Sequence, residues 1–171
     1  MDSRLQTLKQ ELDAAVQGML DEQFLWHPAN KWCAAEVLEH LYLTYTGTIK
    51  GLEKVLSSGK PLTTSASIKQ RVQTVVVLTF GYLPEGRQAP SVTKPRGLPS
   101  QTVRNEIGPK IMAMDTMITQ CESRVGKNVA LLDHLILGPL NATQWRKFHL
   151  LHGRHHVNQL LRLRENLGAT E

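Results

Sequence analysis

Cysteine is scarce in this chain, with only Cys33 and Cys121 in 171 residues. They are too few and too far apart for a zinc motif or a disulfide framework, so both are expected to be reduced and packed. Long apolar runs are missing as well. No stretch approaches the roughly 20 apolar residues of a membrane span, and Met1 leads into a polar amphipathic segment rather than a signal-peptide core. A cytoplasmic protein without a membrane partner is expected. The formal charge is +5 and the pI near 9.4, yet Lys and Arg are scattered among acids and form no basic stripe, so nucleic acid is not the expected partner. Internal repeats and low-complexity tracts are absent. A 41% hydrophobic content suffices for one substantial core, and a single domain over 1–171 is expected.

What the chain does have is helical periodicity. Leu5, Leu8, Leu12, Ala15, Val16 and Met19 recur among polar residues and predict a helix over about 3–20. A connector around Trp26-His27-Pro28 follows. A second long helix, from 31 or 32 to about 56, turns Val37, Leu38, Leu41, Tyr45 and Leu52 inward with His40 beside that stripe. Residues 68–80 combine β-branched content with helical spacing of Ile68, Val72, Val75, Val76 and Thr79, and are read as helix. Residues 81–99, with four prolines and three glycines, are expected to form a long functional loop. A helix marked by Val103 to Val125 must place Pro109 near its start or kink there. Residues 131–141 read as a connector broken by Gly138 and Pro139. Asn141-Ala142-Thr143-Gln144 then resembles a capping box opening a last helix that runs to about Leu167. The fold class expected is all-α, a four-helix bundle with an additional short helix or long loop, with sites where facing helices converge.

The last helix carries four of the seven histidines, between Trp145 and Leu160. At roughly 100° per residue, Trp145, Phe148, His152, His156, Gln159 and Leu163 share one inward sector, with His149 and His155 at its edges. His152 and His156 stack one turn apart and can present two imidazoles to one point. Buried imidazoles need partners for both ring nitrogens, which metal coordination or backbone hydrogen bonds can each supply, and spacing alone leaves both open. His40, inward on another long helix, is the natural third ligand. Leu150 and Leu161 fall on the back of the last helix and suggest either a homodimer surface or another packed helix.

Trp32-Cys33-Ala34-Ala35-Glu36-Val37-Leu38-Glu39-His40-Leu41 resembles the tryptophan-to-histidine segment of the DinB-like (YfiT-like) superfamily of metal-binding four-helix bundles. His134-Leu135-Ile136-Leu137-Gly138-Pro139-Leu140, then Gln144-Trp145, Phe148 and His152 to Gln159, resemble its closing region, particularly in its branch of uncharacterised small proteins. The resemblance implies that His40, His152 and His156 bind one divalent ion, commonly nickel or zinc, with water completing the shell. His149 and His155 are then neighbours rather than ligands. Two positions depart from the pattern: Cys33 stands where a capping serine is usual, and Leu135 where a proline often follows. Cys33 is read as a weakened cap, and Glu36 as its capping-box partner rather than a base. His134 either faces substrate or braces the ligands, or is an exposed loop residue.

The functional expectation is a metal-dependent enzyme, a hydrolase or a thiol transferase, acting on a small molecule such as a low-molecular-weight thiol. The 81–99 loop should lie near the substrate pocket, and Gln159, His155, His134 and Glu36 are candidates for its surroundings. The competing expectation is a non-catalytic metal-binding or stress-response bundle, since no Asp, Ser or Cys completes a catalytic set.

Overall fold

Leu5, Leu8, Leu12 and Ala15 form the buried edge of the first helix, α1 (Ser3–Val16), whose free amides are capped by the Asp2 side chain accepting from Arg4 N. The helix stops short of residue 20 because the chain turns at Gly18, which has φ +77° and no Cβ to oppose it. This is a computed structural model, and it describes residues 2–82 and 88–168. A short helix, α2 (Asp21–Leu25), occupies part of the expected connector and buries Phe24.

The second long helix, α3 (Ala34–Ser58), starts two or three residues later than its periodicity suggests, after Pro28 and the left-handed Asn30. Gly59, at φ 66°, ends it. Residues 68–80 are helical, as expected: α4 (Ile68–Phe80) is opened by Ser67 and Gln70, each bonding the other's backbone N–H. Its apolar residues lie on several sides of the helix. Val77 and Leu78 are buried while Ile68, Val72, Val75 and Phe80 are exposed. A short 3-10 turn, Ser91–Thr93, lies within the long loop; residues 83–87 of that loop fall outside the described residues.

Helix α5 (Ser100–Val125) accommodates Pro109 in its interior and begins three residues before the apolar period does. The expected connector over 131–141 is instead a hairpin of β1 (Ala130–His134) and β2 (Gly138–Asn141), antiparallel, with Leu132 opposite Leu140 and His134 opposite Gly138. Gly138 takes φ +75°, and His134 Nδ1 accepts the Ile136 and Leu137 amides at 3.1 Å each, organising the turn. Leu62 adds a parallel bridge to Leu132. The all-α expectation therefore holds broadly, with a small two-stranded sheet added. Strands of four and five residues are too short to show a period.

The last helix, α6 (Ala142–Gly168), opens on the expected capping box, in which Gln144 N donates to Asn141 Oδ1 and Asn141 N to Gln144 Oε1, both at 2.9 Å. Helix α3 packs on α5, and α1 on α6 and α5. Gly153 lets α1 approach α6 so closely that an added Cβ would lie 2.5 Å from Leu8 Cδ1. Of the two leucines on the back of α6, Leu150 packs against the core and Leu161 is exposed. Among the described residues, no helix is long and apolar enough to cross a membrane.

Candidate metal centre

Helix α3 carries His40 and helix α6 carries His152 and His156, and the packing of the two brings the three rings together. His152 Nε2 lies 3.3 Å from His40 Nε2 and 3.2 Å from His156 Nε2. All three ligand atoms lie within 4.8 Å of one another, in a group that could hold a metal ion. His40 and His156 are buried.

The outward nitrogens set which ring atoms carry hydrogen. His40 Nδ1 faces the carbonyl oxygen of Thr93 at 2.8 Å, and a carbonyl only accepts, so Nδ1 is the protonated nitrogen and Nε2 keeps its lone pair. His156 Nδ1 donates to Gln159 Oε1 at 3.0 Å with the same result. His152 Nδ1 is buried without a partner, its ring stacked on Phe148. Burial pushes His156 down to about 3 and His152 well below its ordinary value, with the neighbouring imidazoles adding to it; His40 is also lowered, chiefly by burial. Neutral rings, two of them with an Nε2 lone pair turned toward His152 Nε2, suit a cation. A tetrahedral site with metal–nitrogen distances of about 2.0–2.1 Å has nitrogen–nitrogen edges of roughly 3.3–3.4 Å, close to the two spacings found here.

Glu39 holds the strap that supplies Thr93. This carboxylate is buried and accepts from Arg96 N at 2.6 Å, Gly97 N at 3.1 Å and Leu98 N at 3.2 Å. A charged residue between Leu38 and Leu41 interrupts the apolar run of this helix, and that interruption is the sequence signal for its role. Thr93 acts through its backbone, which no side-chain pattern reveals.

The remaining candidates divide. Gln159 orients His156. His155 sits edge-on to His156, ring centroids 5.2 Å apart, on the wall of a cavity of about 480 Å³ that the three histidines share. His134 lines the same cavity, with its ring 4.3 Å from that of Phe148, and burial lowers it to about 4. Residues 88–90 and 92–93 of the long loop also reach this wall. Glu36 lies apart from the site and takes the capping role: its Oε2 accepts from Cys33 N at 3.0 Å and meets His27 Nε2 at 2.9 Å. Cys33 makes no side-chain cap bond, and burial raises its thiol pKa. Its sulfur, with His27 and Glu36, forms a second group whose ligand atoms lie within 4.8 Å, but His27 is exposed and Glu36 is already engaged. His149, expected at the edge of the sector, is fully buried; it stacks on Trp145, and neither ring nitrogen has a partner.

A family model matches residues 2–162, almost the whole chain, and its description is protein of unknown function, DUF1569. The chain belongs to the DUF1569 family. DUF1569 falls within the DinB/YfiT-like superfamily, in agreement with the resemblance of the tryptophan-to-histidine and closing segments. No curated protein and no solved structure matches this DUF1569 chain.

Proposed function

We propose that this DUF1569 chain is a metal-dependent enzyme, a hydrolase or thiol transferase built on a four-helix bundle of DinB/YfiT type. In it His40, His152 and His156 hold one divalent ion, nickel or zinc. The observation that carries this reading is the convergence of three neutral imidazole Nε2 atoms on the wall of a 480 Å³ cavity. Such an ion, held by neutral ligands, lowers the pKa of bound water or polarises a substrate thiol. Gln159 and the Thr93 carbonyl keep two of the rings aimed, and His155 on the cavity wall is our candidate for exchanging protons with substrate, while His134, its Nδ1 engaged by two backbone amides, braces the same wall.

The test is elemental analysis of the purified protein, with about one divalent ion per chain expected and none in His40→Ala, His152→Ala or His156→Ala. Unchanged metal content in the variants would remove the site. Turnover is then sought with small electrophiles plus a low-molecular-weight thiol, and with ester and amide substrates. Metal binding that raises thermal stability, with no turnover in either class, would leave a non-catalytic metal protein.

A further inference from the structure

The cavity beside the histidines runs along one face of α3. His40, Thr44, Gly47, Thr48 and Gly51 all border it, and with a rise of 1.5 Å per residue this stripe extends for roughly 16 Å. Its two hydroxyls are turned away from any ligand: Thr44 Oγ1 donates to His40 O at 2.8 Å and Thr48 Oγ1 to Thr44 O at 3.1 Å. Each spends its hydrogen on its own helix. Gly47 leaves a gap, since a Cβ built there would meet nothing within 4 Å. At Gly51 the hairpin seats so tightly that a Cβ would collide with the Leu132 side chain, which marks the end of the stripe.

The facing walls are apolar too, with Val77 of α4, Leu137 of the hairpin and Phe148 of α6. No Lys or Arg borders the cavity among the described residues. Among the described residues Asp133 is the one carboxylate there; its Oδ2 accepts from Thr64 N at 2.9 Å and Thr64 Oγ1 at 2.6 Å, while its Oδ1 is buried without a hydrogen-bond partner. Besides the histidines, the polar side chains on its wall among the described residues are Thr44, Thr48, Gln88, Thr93 and Asp133, none of them a cation. A phosphorylated or polycarboxylate substrate would find no counter-charge from the described residues along this surface, and its desolvation there would go uncompensated.

We infer that the substrate is amphipathic and elongated, with a metal-binding head at His40, His152 and His156 and an uncharged aliphatic or aryl tail lying along Thr44, Gly47, Thr48 and Gly51. The head rests on the proposed metal function; the tail site does not. Gly47 leaves room for the tail to pass toward Gly51 and Leu132, where the stripe ends.

Two probe series separate these parts. Straight-chain alkyl hydroxamates of increasing length are titrated into zinc-loaded protein, and straight-chain alcohols, which lack a chelating head, into metal-free protein. In both, affinity is expected to rise about three- to fourfold per methylene until the stripe is filled. Gly47→Leu is expected to stop the rise at a shorter chain while zinc affinity is unchanged. Gly47→Ala, a substitution that favours the helix, should shift the same limit by less and guards against misfolding of the larger variant. If zinc does not bind, the metal reading fails, and the alcohol series still reports on the tail site. Affinity independent of chain length in both series, tighter binding of short phosphonates than of long hydroxamates, or Gly47 variants with an unaltered length limit would each overturn the proposal.

Discussion

His40 and Thr93, 53 residues apart in the chain, are joined by a 2.8 Å hydrogen bond from ring Nδ1 to backbone oxygen. That bond exists because Glu39, the residue before His40, gathers the amides of Arg96, Gly97 and Leu98. A neutral amide in its place sets an NH2 against amide donors. Glu39→Gln is therefore expected to weaken metal binding about 10- to 100-fold while far-ultraviolet circular dichroism keeps its helical signal. Competitive chelator titration measures the affinity, and an unaltered value would mean that the strap does not orient His40.

Gln159 does for His156 what Thr93 does for His40, from one turn further along the same helix. Gln159→Leu removes the acceptor and nearly preserves the volume. Metal affinity should fall by a similar factor of about 10–100, and Gln159→Glu should restore it, because a carboxylate accepts the same hydrogen. Failure of the glutamate variant to recover binding would argue that the leucine acts through packing.

Arg146 ties α6 to α5 inside the protein. Its Nε meets Asp115 Oδ1 at 2.8 Å, one terminal nitrogen meets Glu122 Oε2 at 3.0 Å, and the other donates to Thr119 Oγ1 at 2.7 Å. Asp115 also accepts from Asp2 N at 2.8 Å. Arg146→Met leaves the buried Asp115 carboxylate without its counter-charge and should cost about 3–5 kcal/mol, read from urea unfolding. The double variant with Asp115→Leu should recover most of the loss. A single-variant cost under about 1 kcal/mol, as for an exposed pair, would contradict the picture.

His134 and His149 are held neutral by burial, at about 4 and about 3 respectively. In the unfolded chain each takes up a proton near the ordinary value of about 6.5. Below that pH the unfolded state binds more protons than the folded state, so stability is fully present above about 6.5 and is lost as pH falls toward 4 and then 3. Urea midpoints of metal-free protein should fall between pH 7 and pH 5, before most carboxylates titrate. His149→Phe should flatten that slope, and a wild-type midpoint constant across this interval would refute it.

Much of the helical framework was legible because it rests on local signals. The Leu5, Leu8, Leu12 period, the Asn141 and Gln144 capping box and the glycine stop at Gly59 all describe interactions within a few residues. The hairpin was not legible. Its register depends on Leu132 meeting Leu140, on the Leu62 bridge, and on a histidine side chain standing in for backbone acceptors in the turn. Nor could the sequence orient α4, whose apolar residues lie on several sides, so that only docking decides which face is covered.

By itself the sequence determined that two imidazoles, one helical turn apart on α6, would point the same way, because helical geometry alone sets that relation. Only the tertiary structure decided that His40 Nε2 comes within 3.3 Å of His152 Nε2, that the Thr93 carbonyl and Gln159 fix the two outer rings, and that an apolar cavity opens beside them. These depend on how α3, α6, the strap and the hairpin pack together, and packing between elements distant in the chain leaves no periodic trace in the order of residues.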